Sequence, residues 1–172
     1  KEYAGSSGIR IITNRVIYSL LEDFQKWIDS QKNLEQQKGL DGLILPAKLE
    51  FLRNHTFRQS NPAIIGVDLI AGTLKSGVPL MKNTPGEIGY VKSIKIEQEN
   101  VSSISSPKQF PISIDGPTVG RQIQEGDIFY TAIPEEDFKK LKELKHLLKK
   151  RDIDVMKEIA EIMRKDNPVW GI

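Results

Sequence analysis

Residues 60–80 decide the fold class of this chain, and they read SNPAIIGVDLIAGTLKSGVPL. Apolar and β-branched residues fill this run, while Asn, Pro, Ser and Gly mark its turns, as is typical of β-strands joined by short loops. The same pattern extends outward on both sides. We predict strands at about residues 47–51, 63–74, 87–97, 110–115 and 127–133. Many short strands without intervening helices favour a closed or nearly closed antiparallel β-barrel over residues 46–133.

A long connecting helix is expected before the barrel, over residues 14–42. Apolar residues recur at helical spacing as far as Ile28, and the sequence then stays polar until Gly39 and Gly42 interrupt it. A helix that is apolar at one end and polar at the other usually joins two bodies. We interpret residues 1–13 as a flexible lead or the remnant of a preceding α/β domain.

Two closing helices are expected after the barrel, in residues 134–172. Pro134 suits the first helical position, and Asp152 suits the cap of the second helix. Asn167-Pro168 ends that helix, and the apolar tail Val169–Ile172 is expected to fold back. The predicted fold is therefore mainly β with added α: a long linking helix, a barrel, and two C-terminal helices packed on it.

Composition excludes several classes of function. The chain has 25 Lys and Arg against 23 Asp and Glu, so its net charge of +2 predicts nucleic-acid binding only through a local patch. It has no Cys, no apolar run approaching the ~20 residues of a membrane span, and no Gly-rich phosphate loop. His55 and His146 fall in different predicted units, which disfavours a zinc site or a histidine triad. We expect a cytoplasmic protein whose own residues do not catalyse.

Basic residues are frequent in the predicted closing helices. They could contact RNA phosphates, but residues 134–166 hold ten bases and nine acids, so a solvated amphipathic helix is the alternative. The basic residues in question are Lys139, Lys140, Lys142, Lys145, Lys149, Lys150 and Arg151.

Four runs carry a family resemblance, and they are residues 60–80, 89–94 (GYVKSI), 119–130 (VGRQIQEGDIFY) and 166–171 (DNPVWG). In this order and spacing they resemble the C-terminal part of archaeal-type translation initiation factor 5B and the matching domain of bacterial initiation factor 2. The resemblance covers essentially everything from Ile9 onward. It implies a barrel like domain II of elongation factor Tu. One departure is Gln109-Phe110-Pro111, which is shorter and more proline-bent than the family pattern.

The resemblance also implies a function. In the family, a long helix connects an N-terminal GTPase domain to the barrel, which contacts the aminoacylated acceptor end of initiator tRNA during ribosomal subunit joining. The parent protein would be a GTPase that binds GTP and Mg²⁺ in its N-terminal domain, whereas this chain would hold no cofactor, metal or catalytic residue. The implied partners are initiator Met-tRNA, both ribosomal subunits and initiation factor 1A, and no membrane.

Candidate tRNA contacts are residues whose chemistry suits an unpaired RNA end. Arg121 supplies a fork of donors and Gln122 an amide, next to Gly120, where a backbone can approach closely. The alternative is that the glycines only bend the barrel and that Arg121 pairs with an acid, and the resemblance favours tRNA. The full candidate set is Arg58, Asn61, Gly66, Gly72, Lys75, Gly120, Arg121 and Gln122.

A protein-docking module without direct tRNA contact is the alternative function. Eukaryotic members of the family use the two final helices to hold the tail of initiation factor 1A. Grooves between amphipathic helices commonly accept apolar anchors. The candidate residues for this contact are Leu144, Leu148, Met156 and Trp170.

Overall fold

The computed structural model describes residues 18–19, 21–28, 39–97, 99–105 and 107–172. The chain divides into two compact units, residues 1–41 and 42–172. In the first unit, residues 18–19 and 21–28 are helical. The rings of Phe24 and Trp27 stack there with centroids 6.0 Å apart. Phe24, one of the apolar residues at helical spacing, is exposed. Residues 14–17 and 29–38 of the predicted helix lie outside the described residues.

Eight strands make up most of the second unit. In chain order they are β1 Ala47–Arg58, β2 Ala63–Lys75, β3 Pro79–Met81, β4 Glu87–Ile96, β5 Glu99–Val101, β6 Ser103–Ser105, β7 Lys108–Asp115 and β8 Ile128–Thr131. The predicted strands therefore exist, although β1 continues seven residues past its predicted end at Phe51.

Six of these strands close into an antiparallel barrel, which confirms the predicted fold. Their order is β1, β8, β3, β4, β7 and β2, and the pairing of β2 with β1 completes the circle. The short strand β5 pairs with β4, and the short strand β6 pairs with the end of β2. Closure leaves no unpaired edge within the six-stranded ring, so the ring hydrogen-bonds its own backbone.

The barrel core is built from alternate residues of the long strands. Leu49 and Phe51 of β1 and Ile65 of β2 have no solvent exposure. The ring of Phe51 lies 6.4 Å from that of Phe129, centroid to centroid. Burial of one such side chain contributes about 1.5–3 kcal/mol, so the interior supplies most of the stability of the ring.

Two helices follow the barrel, as predicted. Helix α1 spans Glu135–Glu143 and α2 spans Lys150–Met163, with a 3₁₀ turn at Lys145–Leu147 between them. Helix α2 begins two residues before Asp152, our predicted cap, whose Oδ2 instead accepts a hydrogen bond from the Lys149 N–H at 3.1 Å. Burial raises the pKa of Asp152, and the bond from Lys149 opposes that shift. Within the described residues, no helix is long and apolar enough to cross a bilayer.

The apolar tail folds back onto α1, as predicted. Trp170 is 5% exposed, and its ring lies 4.5 Å from that of Phe138. The Lys142 ammonium group donates to the Gly171 carbonyl at 2.7 Å, and Arg164 Nε donates to the Trp170 carbonyl at 3.0 Å. Gly171 has a φ of +68°, and an added Cβ would lie 2.7 Å from the Phe138 ring, so this position requires glycine.

Candidate nucleic-acid interface

The far half of β1 leaves the barrel core and projects into solvent. Its side chains are buried in alternation as far as Phe51, and most of the seven that follow are exposed. Pairing with β2 resumes only at Thr56, so residues 52–55 form a wide bulge opposite Gly66. Asn54 has a φ of +57°, and His55 Nδ1 donates to the Arg53 carbonyl at 2.6 Å. The bulge therefore has its own fixed geometry.

A second β-bulge places Phe57 on the surface. Thr56 pairs with Ile65, and Arg58 pairs with Ile64, so Phe57 is an extra residue without a partner on β2. Its side chain is 65% exposed. A bulge residue is turned out of the regular alternation, which explains why this aromatic ring does not enter the core.

The segment Thr118–Ile123, which we call the rim loop, is closed by its own hydrogen bonds. The Thr118 carbonyl accepts from the Arg121 and Gln122 N–H groups at 3.2 and 3.1 Å. The Gly120 N–H donates to the Ile123 carbonyl at 2.8 Å, and the Gln122 side-chain oxygen accepts from the Thr118 N–H at 3.0 Å. Gly120 has a φ of +86° and open space where a Cβ would be, so its backbone is accessible.

Contacts with neighbouring segments fix the rim loop beside the end of β1. The Val119 N–H donates to the Gln59 carbonyl at 2.9 Å, one residue past the end of β1. Lys82 Nζ donates to the Gln122 carbonyl at 3.3 Å and forms an ion pair with Asp127 at 2.8 Å. These bonds are made through backbone groups of the loop, so the side chains of Arg121 and Gln122 stay on the surface.

The resulting patch combines an aromatic ring with two guanidinium groups. We define the rim patch as Phe57, Arg58, Asn61, Gly120, Arg121 and Gln122. Among the described residues, neither guanidinium group has a hydrogen-bond or ion-pair partner. Both side chains are exposed. Asp115 and Glu125 lie at the same end of the barrel, and Glu125 accepts from the Thr56 hydroxyl at 3.2 Å. The patch is therefore modestly positive and has free donors.

Three sequence candidates lie away from the rim patch. Gly66 is buried in mid-strand, where an added Cβ would lie 2.7 Å from His55 Cβ, so it makes room for the bulge. Gly72 has a φ of +91°, and its Cβ would collide with the Pro46 carbonyl. Lys75 ends β2, which has 13 residues, so it lies up to roughly 40 Å from the rim end of that strand. The structure brings together the other five candidates: Arg58 and Asn61, at and after the end of β1, and Gly120, Arg121 and Gln122 of the rim loop.

The candidates for protein docking are largely inside the fold. Met156 is 2% exposed, and Trp170 packs on Phe138. Leu144 and Leu148 are half-buried at the connection between α1 and α2. A partner could reach all four only if the closing helices separated.

Phe57 was not among the sequence candidates. A detectable signal was present, because Phe57 stands between Thr56 and Arg58 in a polar run, RNHTFRQSN, that cannot bury a whole strand face. An aromatic residue isolated in such a run is as consistent with a surface contact as with the core.

Comparison with known proteins gives one family and a set of close relatives. The family model for elongation factor Tu domain 4 matches residues 45–130, which include all eight strands except for the last residue of β8. The chain is 42% identical to the probable translation initiation factor IF-2 of Methanocella arvoryzae and 41% identical to that of Hyperthermus butylicus. These alignments cover 99% and 100% of this chain, but 29% and 28% of the relatives.

A solved structure agrees with those relatives. The GDP-bound aIF5B of Aeropyrum pernix matches 99% of this chain with a TM-score of 0.85 and 35% identity, and the match covers 29% of that protein. This chain thus spans less than a third of the length of the proteins that it resembles.

Proposed function

Because this chain belongs to the elongation factor Tu domain 4 family, as the C-terminal part of an archaeal-type initiation factor of the IF-2/5B kind, we propose that its rim patch binds initiator tRNA. The bound part would be the aminoacylated acceptor end. The observation that carries this proposal is that the Val119–Gln59 backbone bond places the rim loop beside the end of β1, where the Phe57 ring is exposed and the Arg58 and Arg121 guanidinium groups have no partner among the described residues.

The chemistry of the rim patch suits the unpaired end of an RNA. Unpaired bases stack on aromatic side chains, and each such contact is worth about 1–3 kcal/mol. Guanidinium groups donate in a planar fork that matches phosphate oxygens. The Gln122 side-chain oxygen is already bonded to Thr118, so its amide NH₂ remains to donate to a base edge. Phe57 would stack, Arg58 and Arg121 would bind phosphates, and Gln122 would donate to a base.

The parent protein would use this binding during initiation. We propose that it is a GTPase acting when the ribosomal subunits join, and that GTP and Mg²⁺ are held outside this chain. The present chain would then contribute binding, with no chemical step of its own. Its place of action would be the cytoplasm, on the ribosome.

Docking of initiation factor 1A on the closing helices is less well supported. Two of its four candidate residues, Met156 and Trp170, already fill the interior of the C-terminal region. The rim patch needs no rearrangement to be reached. We therefore assign tRNA to the rim patch as the main function and leave the 1A contact as an alternative that requires α1 and α2 to open.

Filter binding of the full chain to aminoacylated and deacylated initiator tRNA tests the proposal. We expect Arg121→Ala and Phe57→Ala each to weaken binding about tenfold, which corresponds to loss of one charged bond or one stacking contact. Both side chains are exposed, so thermal stability should stay within about 0.5 kcal/mol of the parent. Lys75→Ala is the control, since it removes a positive charge at the far end of β2 and should leave affinity within about twofold. Unchanged affinity in both rim variants would contradict the proposal.

A further inference from the structure

Positive charge is concentrated around the connection between α1 and α2, including the adjacent turns of both helices. Residues 139–151 contain seven Lys or Arg and a single acid, Glu143. We call Lys140, Lys145, Lys149, Lys150 and Arg151 the basic connector. All five side chains are exposed.

Five of the nine acids that balance these charges in the sequence have bonds of their own. Glu135 pairs with Lys139 at 3.0 Å, and Asp137 accepts from the Ile44 N–H at 3.1 Å. Three of the four carboxylates of α2 are also engaged, since Asp152 bonds the Lys149 N–H, Asp154 bonds Lys157, and Glu158 bonds Lys48. None of the four ion pairs in the described residues includes a member of the basic connector. The near-equal charge count of this region therefore hides a surface rich in cations that have no ion-pair partner among the described residues, although the Asp152 carboxylate attracts Lys149.

The basic connector is a separate surface from the rim patch. Helix α2 is 14 residues long, or about 21 Å, and the connector includes its first two residues. Just past its other end, Lys165 Nζ donates to the Asn83 carbonyl at 3.3 Å. Asn83 follows Lys82, which bonds the rim loop at Gln122. The helix thus separates the two basic surfaces by about its own length.

We propose that the basic connector binds the phosphate backbone of double-helical RNA. Clustered cations without acid partners gain affinity by releasing counterions from a polyanion, and this gain requires no apolar groove. Base-paired RNA is recognised mainly through its backbone and shape, and the connector has no exposed Phe, Tyr or Trp ring for an unpaired base, the one exposed aromatic side chain among residues 139–151 being His146. The proposal does not rest on the rim patch, so the two can fail separately.

Fluorescence anisotropy with a labelled RNA hairpin of about 12 base pairs tests the inference on the full chain. We expect Lys145→Glu/Lys150→Glu to weaken hairpin binding roughly tenfold at about 50 mM salt and to reduce the slope of log K against log salt by about two. Lys92→Glu/Lys95→Glu, at exposed positions of β4, makes the same change in net charge and should cause a smaller loss. The hairpin affinity of Lys145→Gln/Lys150→Gln should fall between those of the parent and the Lys145→Glu/Lys150→Glu variant. The Gln variant replaces the Glu variant as the test if the latter does not fold.

Separate arms identify the RNA. A single-stranded oligonucleotide ending in CCA should bind the connector variant normally and lose affinity with Arg121→Ala. If the helix recognised is part of a tRNA, the connector variant should also weaken initiator tRNA binding; if it belongs to ribosomal RNA, only binding to ribosomal subunits should weaken.

Equal losses in the connector and β4 variants would overturn the inference. The inference would also be overturned if the connector variant lost binding to a poly-glutamate peptide but kept the hairpin affinity of the parent. That result would indicate an acidic protein partner.

Discussion

Thr131 is a fully buried polar residue in the barrel wall, and its hydroxyl group is bonded on both sides. Its oxygen accepts from the Ala47 N–H at 3.0 Å, and the hydroxyl donates to the Leu45 carbonyl at 2.9 Å. These bonds join β8 to the segment that enters β1. A buried backbone group without a partner costs about 1–3 kcal/mol, and this hydroxyl satisfies the buried Ala47 N–H and the half-buried Leu45 carbonyl.

Replacement Thr131→Val should destabilise the fold by about 2 kcal/mol. The methyl group fits the space of the hydroxyl but leaves the Ala47 N–H and Leu45 carbonyl unpaired. Urea unfolding followed by circular dichroism measures the change as a lower midpoint with an unchanged slope. Thr73→Val is a matched control, because its hydroxyl bonds Ser105 at the exposed surface. Equal stability of the two variants would show that the buried bonds contribute nothing.

Individual residues differ in how far sequence can predict their roles. Arg121 and Gln122 could be proposed from the sequence because a fork donor and an amide stand next to Gly120, and their role stays a prediction. Phe57 was missed because an aromatic residue in a strand normally belongs to the core. Whether it points in or out depends on the register with β2, which the bulge changes by one residue. The register is set by pairing with the partner strand and cannot be deduced from the residues around Phe57 alone.

A shared polar contact joins α2 to two strands of the barrel. Glu158 Oε2 accepts from Lys48 Nζ of β1 at 2.7 Å and from the Tyr130 hydroxyl of β8 at 2.6 Å. Burial opposes ionisation of Glu158, but the bonds from Lys48 and Tyr130 outweigh it and lower the pKa of Glu158. The Glu158 carboxylate raises the pKa of Lys48 in turn, against the opposing effect of burial. One carboxylate thus links three elements.

Replacement Glu158→Gln should cost about 1 kcal/mol at pH 7, since the groups are partly exposed and screened by solvent. A lowered pKa means that the carboxylate contributes stability above its ordinary value of 4.5 and loses that contribution as the pH falls through its lower folded value. Between pH 7 and pH 3 the parent should therefore lose more stability than the variant. Urea midpoints across this range measure the difference.

The exposed Glu161 on the same helix provides the control for that experiment. Glu161→Gln should leave both the stability at pH 7 and its pH dependence close to those of the parent. If Glu158→Gln kept the full acid dependence of the parent, the link to Lys48 and Tyr130 would not be a source of stability.

Element length decided which strands could be predicted. The long strands β2, β4 and β7 carry enough alternation to be identified from their own residues. Three-residue strands such as β3 have no period to detect, and they form because neighbouring strands offer hydrogen bonds. Pro111, which departs from the family pattern, is accommodated within β7 opposite Gly66.

At the scale of the whole molecule, the closed ring forms a stable body that is distinct from the proposed binding surfaces. Strand β1 is paired with β8 on one side and β2 on the other, and alternate residues of its first five line the core. The rim patch lies on the extension of β1 and on the exposed part of the rim loop, whose last residue, Ile123, is anchored in that core. Net charge gives no indication of this arrangement, because +2 for the chain is compatible with a neutral body and two local basic surfaces.

Hydrogen exchange of the backbone amides should reveal the same division. Amides in the buried parts of β1 and β2 should exchange only through global unfolding, because both neighbours of each strand must separate to expose them. The Arg121 and Gln122 amides share one acceptor, the carbonyl of the half-buried Thr118, and both residues are exposed. They should exchange roughly 100-fold faster after correction for intrinsic rates, through local opening of the rim loop. Thr131→Val should speed exchange in the core strands and leave the rim amides unchanged, since it lowers the global stability alone. Equal protection at Arg121 and in β2 would mean that the rim loop belongs to the cooperative core, and removal of rim side chains would then be expected to destabilise the barrel.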